Sequence, residues 1–248
     1  MRTNSAAVED RTRKAVALSP RLLSLRETVV LAGIDEREKD VRNDIMRGVL
    51  PAANVIRIDN SHLCFHWPYV LTFAAVYGNR FLDSAELRRV ALEKVFVAAT
   101  GGSEGGGLAV LHLALRTSGI QSGAEWCRAI NACTFVRTHV DIDHYLNIDV
   151  GKACDDVKPR VSLYADGLER VEENDAVLGG AAVFRDTRLP VLHIGKMAER
   201  GVPTEIILED YSKLTEADVE FARLYFRARP PIGRPRSGVS KNAPDAKS

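Results

Sequence analysis

Basic and amide side chains recur along one predicted helix between residues 35 and 48, and these residue types can contact DNA. The candidates are Arg37, Lys39, Arg42, Asn43 and Arg47. Arginine and asparagine read the edges of guanine and adenine, while lysine contacts phosphates. A solvated helix face is the alternative, because acidic residues stand between the candidates, namely Glu36, Glu38, Asp40 and Asp44. We expect DNA contact, given the elements predicted on either side of this helix.

Two clusters of histidine, cysteine and aspartate contain residue types that bind metal ions. The first alternates along a predicted strand and consists of His62, Cys64 and His66. A structural zinc site needs four ligands and no partner pair lies nearby in sequence, so strand packing is the better interpretation. The second occupies an acidic connection and consists of His139, Asp141, Asp143 and His144. It shows no arrangement of nucleophile and base, so we predict neither an enzyme nor a metal or cofactor.

Five arginines near the C-terminus are candidates for holding the carboxylates of a partner protein. They are Arg185, Arg188, Arg229, Arg234 and Arg236. Guanidinium groups bind carboxylates through two parallel hydrogen bonds. For the first two, clamping a turn against neighbouring helices is an equally good interpretation. The last three border or belong to a basic tail (230–248) that begins with two prolines and is predicted to be disordered.

Two short helices with a tight turn between them are predicted at the start of the folded chain. Residues 24–27 and 35–38 both have the pattern of a capping box, in which side chains satisfy free backbone N–H groups at a helix start. Gly33 and Gly48 follow the two helices in the position of a C-terminal cap. Helices joined in this way are typical of a helix-turn-helix, although other helical hairpins share the pattern.

A β-hairpin is predicted directly after the second helix. Residues 55–58 and 62–66 alternate as strands and are separated by turn-forming residues. Arg57 and Asn60 are therefore candidate wing contacts to DNA. A helix from about residue 67 completes the order of a winged helix-turn-helix domain, and another helix is expected at 85–99.

A compact unit is predicted between residues 179 and 229, and we call it the C-terminal unit. It begins with a short strand at 182–185, and three helices follow. Their predicted ranges are about 191–199, 204–211 and 216–227. Thr215 and Asp218 form a variant capping box at the start of the third helix. Before the unit, residues 152–171 have the spacing of a helix.

Thirteen residues of the C-terminal unit fit one pattern, roughly GG-x-P-V-[IF]-R-G-T-R-[IV]-P-V, a helix, a Pro/Glu-led helix ending in D/E-Y, then L-T-x-x-D/E. They are Gly179, Gly180, Val183, Phe184, Arg185, Thr187, Arg188, Pro190, Val191, Pro203, Tyr211, Leu214 and Thr215. The unit thereby resembles the antitoxin-associated "domain of unknown function" family four-three-three. Asp186 replaces a glycine of the pattern, and Ala182 and Val202 replace a proline and a capping serine. Aspartate tolerates left-handed backbone better than most residues, although its Cβ adds strain.

The N-terminal elements, together with the phrase Gly48-Val49-Leu50-Pro51, resemble the MerR-like domain of longer VapB-type antitoxins. The two resemblances imply an antitoxin that occludes the acidic, Mg²⁺-binding site of a PIN-domain ribonuclease toxin and represses its own operon. The implied partners are the duplex DNA of its own promoter, the toxin and a second copy of the chain. A stand-alone dimeric transcriptional regulator without a toxin is the alternative.

Composition is that of a soluble globular protein. The chain has 248 residues, of which 27% are charged, and a formal net charge of +1, so a DNA-binding surface must be a local patch. No membrane-length apolar run, signal-peptide core or C-x-x-C pair is present, which favours the cytoplasm. We expect a mainly α protein with five parts: a disordered arm (1–19), a winged helix-turn-helix domain (20–100), a hinge and connecting region (101–150), a three-helix domain with a short strand (151–229) and the tail.

Overall fold

A computed structural model describes residues 22–50, 56–57, 63–67, 69–100, 139–142, 144, 146–173 and 180–231. These residues form helices and a few short antiparallel strands, which confirms the predicted mainly helical fold class. Several predictions lie outside the described residues, namely the disordered arm, the glycine-rich part of the hinge, Asn60, His62, Asp143, Arg234 and Arg236. For Arg57 and His66 the structure describes the strand position but not the side chain.

The first helix begins at the predicted capping box. Strand β1 (Leu22–Ser24) leads directly into helix α1 (Leu25–Ala32). The Ser24 hydroxyl accepts a hydrogen bond from the Glu27 N–H, and the Glu27 carboxylate accepts one from the Ser24 N–H. Gly33 follows the helix with a φ of 74°, a left-handed conformation that favours glycine. Both predicted ends of this helix are therefore confirmed.

The second helix begins differently from the prediction. Residues Asp35–Arg37 form a single 3-10 turn, and helix α2 (Glu38–Met46) starts without a side-chain cap. The capping box predicted at this position is therefore wrong. The Asp35 carboxylate instead accepts a hydrogen bond of 2.6 Å from the guanidinium of Arg227, and a charged partner binds a carboxylate more strongly than a backbone N–H does. Gly48 has a φ of 73° and ends α2 as predicted.

The predicted hairpin is present, and an unpredicted strand extends it. Strands β2 (Ile56–Arg57) and β3 (Leu63–His66) are antiparallel, with Ile56 opposite Cys64. On the other side of β3, β1 is also antiparallel, with Ser24 opposite Cys64. The sheet order is β1–β3–β2. The strand before the helix pair and the hairpin after it therefore form one sheet.

Two helices after this sheet match the sequence prediction. Helix α3 (Tyr69–Tyr77) follows β3, and helix α4 (Ala85–Thr100) begins where the Ser84 hydroxyl accepts a hydrogen bond from the Leu87 N–H. Nearly all residues of α3 are buried, because the helix packs against both α1 and α4. It therefore forms the centre of the N-terminal part of the core.

A second hairpin leads into the longest helix described. Strands β4 (His139–Asp141) and β5 (Asn147–Asp149) are antiparallel, and helix α5 (Val150–Glu169) follows at once. The Asp149 carboxylate accepts a hydrogen bond of 2.9 Å from the Lys152 N–H. This cap explains why α5 begins two residues before the predicted start.

The C-terminal unit contains the predicted strand and three helices. Strand β6 (Val171–Glu172) pairs antiparallel with β7 (Val183–Phe184). The helices, within one residue of their predicted bounds, are α6 (Val191–Glu199), α7 (Thr204–Asp210) and α8 (Glu216–Ala228). The variant capping box is confirmed. The Thr215 hydroxyl accepts a hydrogen bond from the Asp218 N–H, and the Asp218 carboxylate accepts one from the Thr215 N–H.

Two glycines let α8 approach its neighbours closely. A Cβ at Gly195 of α6 would collide with the backbone carbonyl of Ala222, and a Cβ at Gly167 of α5 would collide with the ring of Phe221. Both glycines are buried, so close helix packing requires them. Helix α8 thereby contacts α5 and α6, and it also contacts α1.

Elements on both sides of residues 101–138 share one hydrophobic core. Tyr164 of α5 is fully buried, and its ring centre lies 6.3 Å from that of Trp67 and 5.9 Å from that of Phe221. Its hydroxyl donates a hydrogen bond of 2.8 Å to Glu27. The division into a winged-helix domain and a separate C-terminal domain stays a prediction, but the described parts of both pack against each other.

Candidate nucleic-acid interface

Helix α2 and the residue that follows it present four of the candidate residues on one exposed face. They are Lys39, Arg42, Asn43 and Arg47. Their spacing of three and four residues places them side by side on a helix. Met46 shares this face and is 71% exposed. Val41 and Ile45 are buried on the opposite side, as predicted.

The acidic residues of α2 are bound to arginines. Asp44 is 1% exposed and binds Arg88 of α4 through both carboxylate oxygens, at 2.6 and 3.1 Å. Glu38 binds Arg26 at 2.9 Å and Arg42 at 3.0 Å. The acidic charge that made a solvated face a fair alternative is thus largely compensated. Positive charge remains on the exposed face at Lys39 and Arg47, while Arg42 shares Glu38 with Arg26.

Arg37 is held by the protein itself. Its guanidinium donates hydrogen bonds of 3.0 Å to Asp40 and 3.0 Å to the backbone carbonyl of Tyr77, at the end of α3. The side chain is 22% exposed. Arg37 therefore holds the turn before α2 against α3. In this arrangement its guanidinium binds the protein itself and not a ligand. Glu36, beside it, is exposed.

A buried polar cluster behind α2 fixes the position of the helix. The Tyr77 hydroxyl donates a hydrogen bond of 3.2 Å to Asp44. Arg88, besides binding Asp44, donates to the backbone carbonyls of Leu82 and Asp83 at 3.1 and 2.8 Å. Burial, and then the negative charge of Asp44, raise the pKa of Tyr77, so the phenol keeps its proton and remains a donor.

The wing and metal candidates are only partly described. Arg57 lies on β2, and Cys64 is buried on β3. The His139 Nε2 lies 3.6 Å from the Asp149 carboxylate, and His144 is exposed. No group of three or more His, Cys, Asp or Glu that could hold a metal ion occurs in the part of the chain that the structure describes.

Two partner-binding candidates are exposed in the C-terminal unit. Arg185 and Arg188 flank the turn after β7. Between them Asp186 has a φ of 59°, so it adopts the left-handed backbone that the glycine of the family pattern would permit. The Thr187 hydroxyl donates a hydrogen bond of 2.7 Å to the carbonyl of Phe184. The backbone between the two arginines is therefore held in one shape.

Arg229, predicted as a partner-binding residue, is bound within the protein. Its Nε donates a hydrogen bond of 2.7 Å to Glu27, and its guanidinium lies 5.1 Å from the centre of the Tyr225 ring. Glu27 is 2% exposed and also accepts hydrogen bonds from Ser24 and Tyr164. Burial acts to raise the pKa of Glu27, but the charge of Arg229 and these hydrogen bonds hold it below its usual range. A buried carboxylate needs such a partner, so the fold itself uses the charge of Arg229.

A cleft of about 210 Å³ opens beside the turn that carries Arg185. Its lining consists of Glu169, Arg170, Phe184, Arg185, Asp186, Thr187, Lys213 and Leu214. The wall is fixed by Arg170, which binds the buried carboxylate of Asp218 at 2.8 Å. Sites for small molecules usually measure roughly 300–1,000 Å³. The cleft is therefore better suited to a single side chain of a partner.

Sequence reasoning missed the residues that hold the candidate surface in place. Asp44 stands on the inward face of α2, and this position could have indicated a buried acid with a basic partner. The partners themselves carry no local signal. Arg88 lies 44 residues from Asp44, and Arg229 lies 202 residues from Glu27.

Comparison with known proteins identifies one segment of the chain. Residues 171–226, from β6 to near the end of α8, match the family model described as "Protein of unknown function (DUF433)". The resemblance of the C-terminal unit to this family is thereby confirmed. No curated protein and no solved structure matches the chain. Among the helices of the described residues, none has the length and apolar character needed to cross a membrane.

Proposed function

We propose that the protein is the antitoxin of a type II toxin–antitoxin pair, which binds its own promoter through α2 and neutralises a PIN-domain ribonuclease. The observation that carries the DNA-binding half is the exposed face of α2. On this face stand Lys39, Arg42, Asn43 and Arg47, while most acids of the helix are paired with arginines. Duplex DNA attracts such a face through its phosphates, and arginine and asparagine can read its base edges.

The surroundings of α2 support a winged helix-turn-helix. A tight turn joins α1 to α2, and β1 joins the hairpin in a three-stranded antiparallel sheet beside them. In helix-turn-helix proteins the second helix enters the major groove, and residues near its start contact base edges. Lys39 and Arg42 lie in the first half of α2, whereas Arg47 follows its end and suits a phosphate contact.

The toxin-binding half of the proposal rests on the C-terminal unit. Its family match covers residues 171–226, and the sequence resemblance associates that family with antitoxins. Arg185 and Arg188 stand exposed on a fixed turn, and Arg234 and Arg236 follow the unit along the chain. Guanidinium groups pair well with carboxylates, and a PIN nuclease needs its carboxylates for Mg²⁺.

Fluorescence anisotropy with a labelled duplex from upstream of the protein's own reading frame tests the DNA-binding half. We expect binding that weakens steeply as salt rises. The affinity of the double variant Arg42→Ala/Arg47→Ala for this duplex should be lower than that of the wild type by about tenfold or more. Arg223→Ala, on the exposed face of α8, is the control and should bind almost as well as the wild type. Absence of any complex at low salt would reject this half of the proposal.

Ribonuclease activity of a PIN-domain toxin encoded beside this protein tests the other half. The wild-type protein should inhibit the nuclease, and Arg185→Ala/Arg188→Ala should require a higher concentration for the same inhibition. Truncation after Arg229 separates the contribution of Arg234 and Arg236 from that of the turn. A nuclease that stays fully active with the wild-type protein would reject the antitoxin assignment.

A stand-alone dimeric transcriptional regulator is the second candidate. The packing of α8 against α1 favours it, because the C-terminal unit completes the N-terminal fold instead of standing apart as a partner-binding module. Light scattering that reports a dimer on DNA, together with no inhibition of the nuclease, would select this function over the first.

A further inference from the structure

The turn between α1 and α2 is bound by two arginines that follow residues 101–138 in the chain. The first, Arg160 of α5, donates hydrogen bonds of 2.9 and 3.2 Å to the carbonyl oxygens of Leu31 and Ala32. These carbonyls belong to the last turn of α1, where backbone acceptors have no partner within the helix. Arg160 therefore supplies the missing donors and fixes the end of α1.

The second, Arg227 of α8, binds the next part of the turn. Its Nη2 donates a hydrogen bond of 2.6 Å to the carboxylate of Asp35, which is the first residue of the 3-10 turn before α2. Burial acts to raise the pKa of Asp35, but the hydrogen bond and the charge of Arg227 hold it below its usual range. The pair is therefore a charge-assisted hydrogen bond, and such bonds are stronger than neutral ones.

A third arginine and a glycine complete the arrangement. Arg26 of α1 donates a hydrogen bond of 3.0 Å to the carbonyl of Arg227. It donates a second one, of 2.9 Å, to Glu38, the first residue of α2. A Cβ at Gly33 would lie 2.8 Å from the Nη2 of Arg160. The left-handed backbone at position 33 favours glycine, and a larger residue there would also push the tip of Arg160 aside.

We propose that Arg160 and Arg227 are positioning residues for DNA binding, which hold the turn before α2 and so set the orientation of its exposed face. The inference rests on the proposed DNA-binding function. Helix α2 begins directly after the turn that the two arginines hold, so a shift of the turn moves the whole helix. A contact surface that is displaced or loosened by about 1 Å loses productive geometry. Helices α5 and α8 thus contribute to DNA binding through the two arginines that hold this turn.

Three single substitutions test this proposal, namely R160Q, R227Q and the control R223Q. Arg223 lies one turn before Arg227 on α8 and binds Glu199 of α6 at 3.3 Å, within the C-terminal unit. Each variant loses one positive charge, so the change in net charge is the same for all three. With the promoter duplex at constant salt, we expect the affinities of R160Q and R227Q to be lower than that of R223Q by about fivefold or more. Affinities are compared at a temperature where circular dichroism shows every variant folded.

Two further measurements separate positioning from a general loss of stability. R227K keeps the positive charge beside Asp35, so it should recover part of the affinity that R227Q loses. The Ile34 N–H donates a hydrogen bond to the carbonyl of Val29 at the end of α1, and the Arg37 N–H donates one to the carbonyl of Ile34. Hydrogen exchange of both amides should accelerate in R160Q and R227Q but not in R223Q. A purely structural role would instead lower the melting temperature and leave the DNA affinity of the folded protein unchanged.

The outcomes distinguish this inference from the proposed function. Failure of the wild-type protein to bind the duplex would overturn both. Tight binding by the wild type, with equal affinities for folded R160Q, R227Q and R223Q, would overturn the positioning role alone. Weaker binding by R160Q and R227Q with selective exchange in the turn would support it.

Discussion

Two helix pairs of this protein have related local structure and opposite surface charge. A tight connection joins α1 to α2 in the N-terminal part, and another joins α7 to α8 in the C-terminal unit. The exposed residues of α2 and its end include Lys39, Arg42, Asn43 and Arg47. Those of α8 are Glu216, Ala217, Glu220 and Arg223. Only the first face suits duplex DNA, so a helical hairpin by itself does not indicate a DNA-binding surface.

The difference arises from the partners of the carboxylates. Three acids of α2 bind arginines, namely Glu38, Asp40 and Asp44. In α8, by contrast, Glu216 and Glu220 are exposed and Asp218 is buried. Both helices are rich in acidic residues. All three acids of α2 pair with arginines, whereas in α8 Asp218 pairs with Arg170, and Glu216 and Glu220 are exposed. The composition of a helix therefore does not predict the charge of its exposed face.

Asp44→Ala should have the largest effect on stability. The Asp44–Arg88 pair is buried on both sides, with 1% and 7% of the two side chains exposed. Removing the carboxylate leaves a buried guanidinium without its charged partner, so we expect the free energy of unfolding to fall by about 3–5 kcal/mol. Urea unfolding followed by circular dichroism measures this loss.

Asp218→Ala is the matched variant in the C-terminal unit. Its partner Arg170 is 49% exposed, so water can solvate the guanidinium that remains. The cost should then be mainly that of the lost helix cap, about 1–2 kcal/mol. Equal losses for Asp44→Ala and Asp218→Ala would contradict the difference in burial between the two pairs.

Charge reversal on each helix should sharpen the contrast between the two faces. Arg42→Glu and Arg223→Glu change the net charge equally, and they differ only in the helix that carries the new carboxylate. We expect Arg42→Glu to weaken binding to the promoter duplex by on the order of tenfold to a hundredfold. Arg223→Glu should have a much smaller effect, because salt screens charges that do not touch the DNA. Equal losses, measured by anisotropy at constant salt, would show that α2 is not the interface.

Local signals in the sequence predicted most elements in both regions. The capping boxes that begin at Ser24 and Thr215, and the glycines at 33 and 48, all depend on residues three or four positions apart. Such interactions depend mainly on the local sequence, so they can be predicted where no distant side chain competes for the capping group. The helices of the C-terminal unit could therefore be placed within one residue of their observed bounds.

Long-range partners could not be predicted in the same way. Asp35 has the pattern of a helix cap, but Arg227, 192 residues away, binds its carboxylate. Arg229 borders a basic tail in the sequence, whereas the fold places it against Glu27. Each charged residue has many possible partners of opposite charge, and only the folded chain selects one. The basic face of α2 was predicted from residue types, but the pairing of its acids required the structure.

Acid should weaken the contact between the two regions. Glu27 on α1 and Arg229 after α8 form an ion pair at 2.7 Å, in which the carboxylate is buried. Burial acts to raise the pKa of Glu27, but Arg229 and the hydrogen bonds hold it below its ordinary value of 4.5. A carboxyl with a lowered folded-state pKa adds stability above its unfolded-state pKa, and this contribution is lost as pH falls through the folded-state value. Below about pH 4.5 the free energy of unfolding should therefore fall, with this group contributing at most about 1.4 kcal/mol per pH unit.

Glu27→Gln removes the titrating group and should flatten the dependence of stability on pH in this range. Glu209→Gln, at an exposed position of α7, is the control and should leave the slope unchanged. Urea unfolding at a series of pH values measures both slopes. The same slope for the wild type and Glu27→Gln would mean that this ion pair does not control the acid sensitivity.

The two capping boxes should differ by a smaller amount. Each capping hydroxyl accepts one backbone N–H, and replacing such a residue with alanine typically costs about 1 kcal/mol. Ser24 is half-buried, so water replaces its hydroxyl poorly at the start of α1. Thr215 is exposed, and water can approach the start of α8. We therefore expect Ser24→Ala to lower the free energy of unfolding more than Thr215→Ala does, and an equal or larger loss for Thr215→Ala in urea unfolding would contradict this.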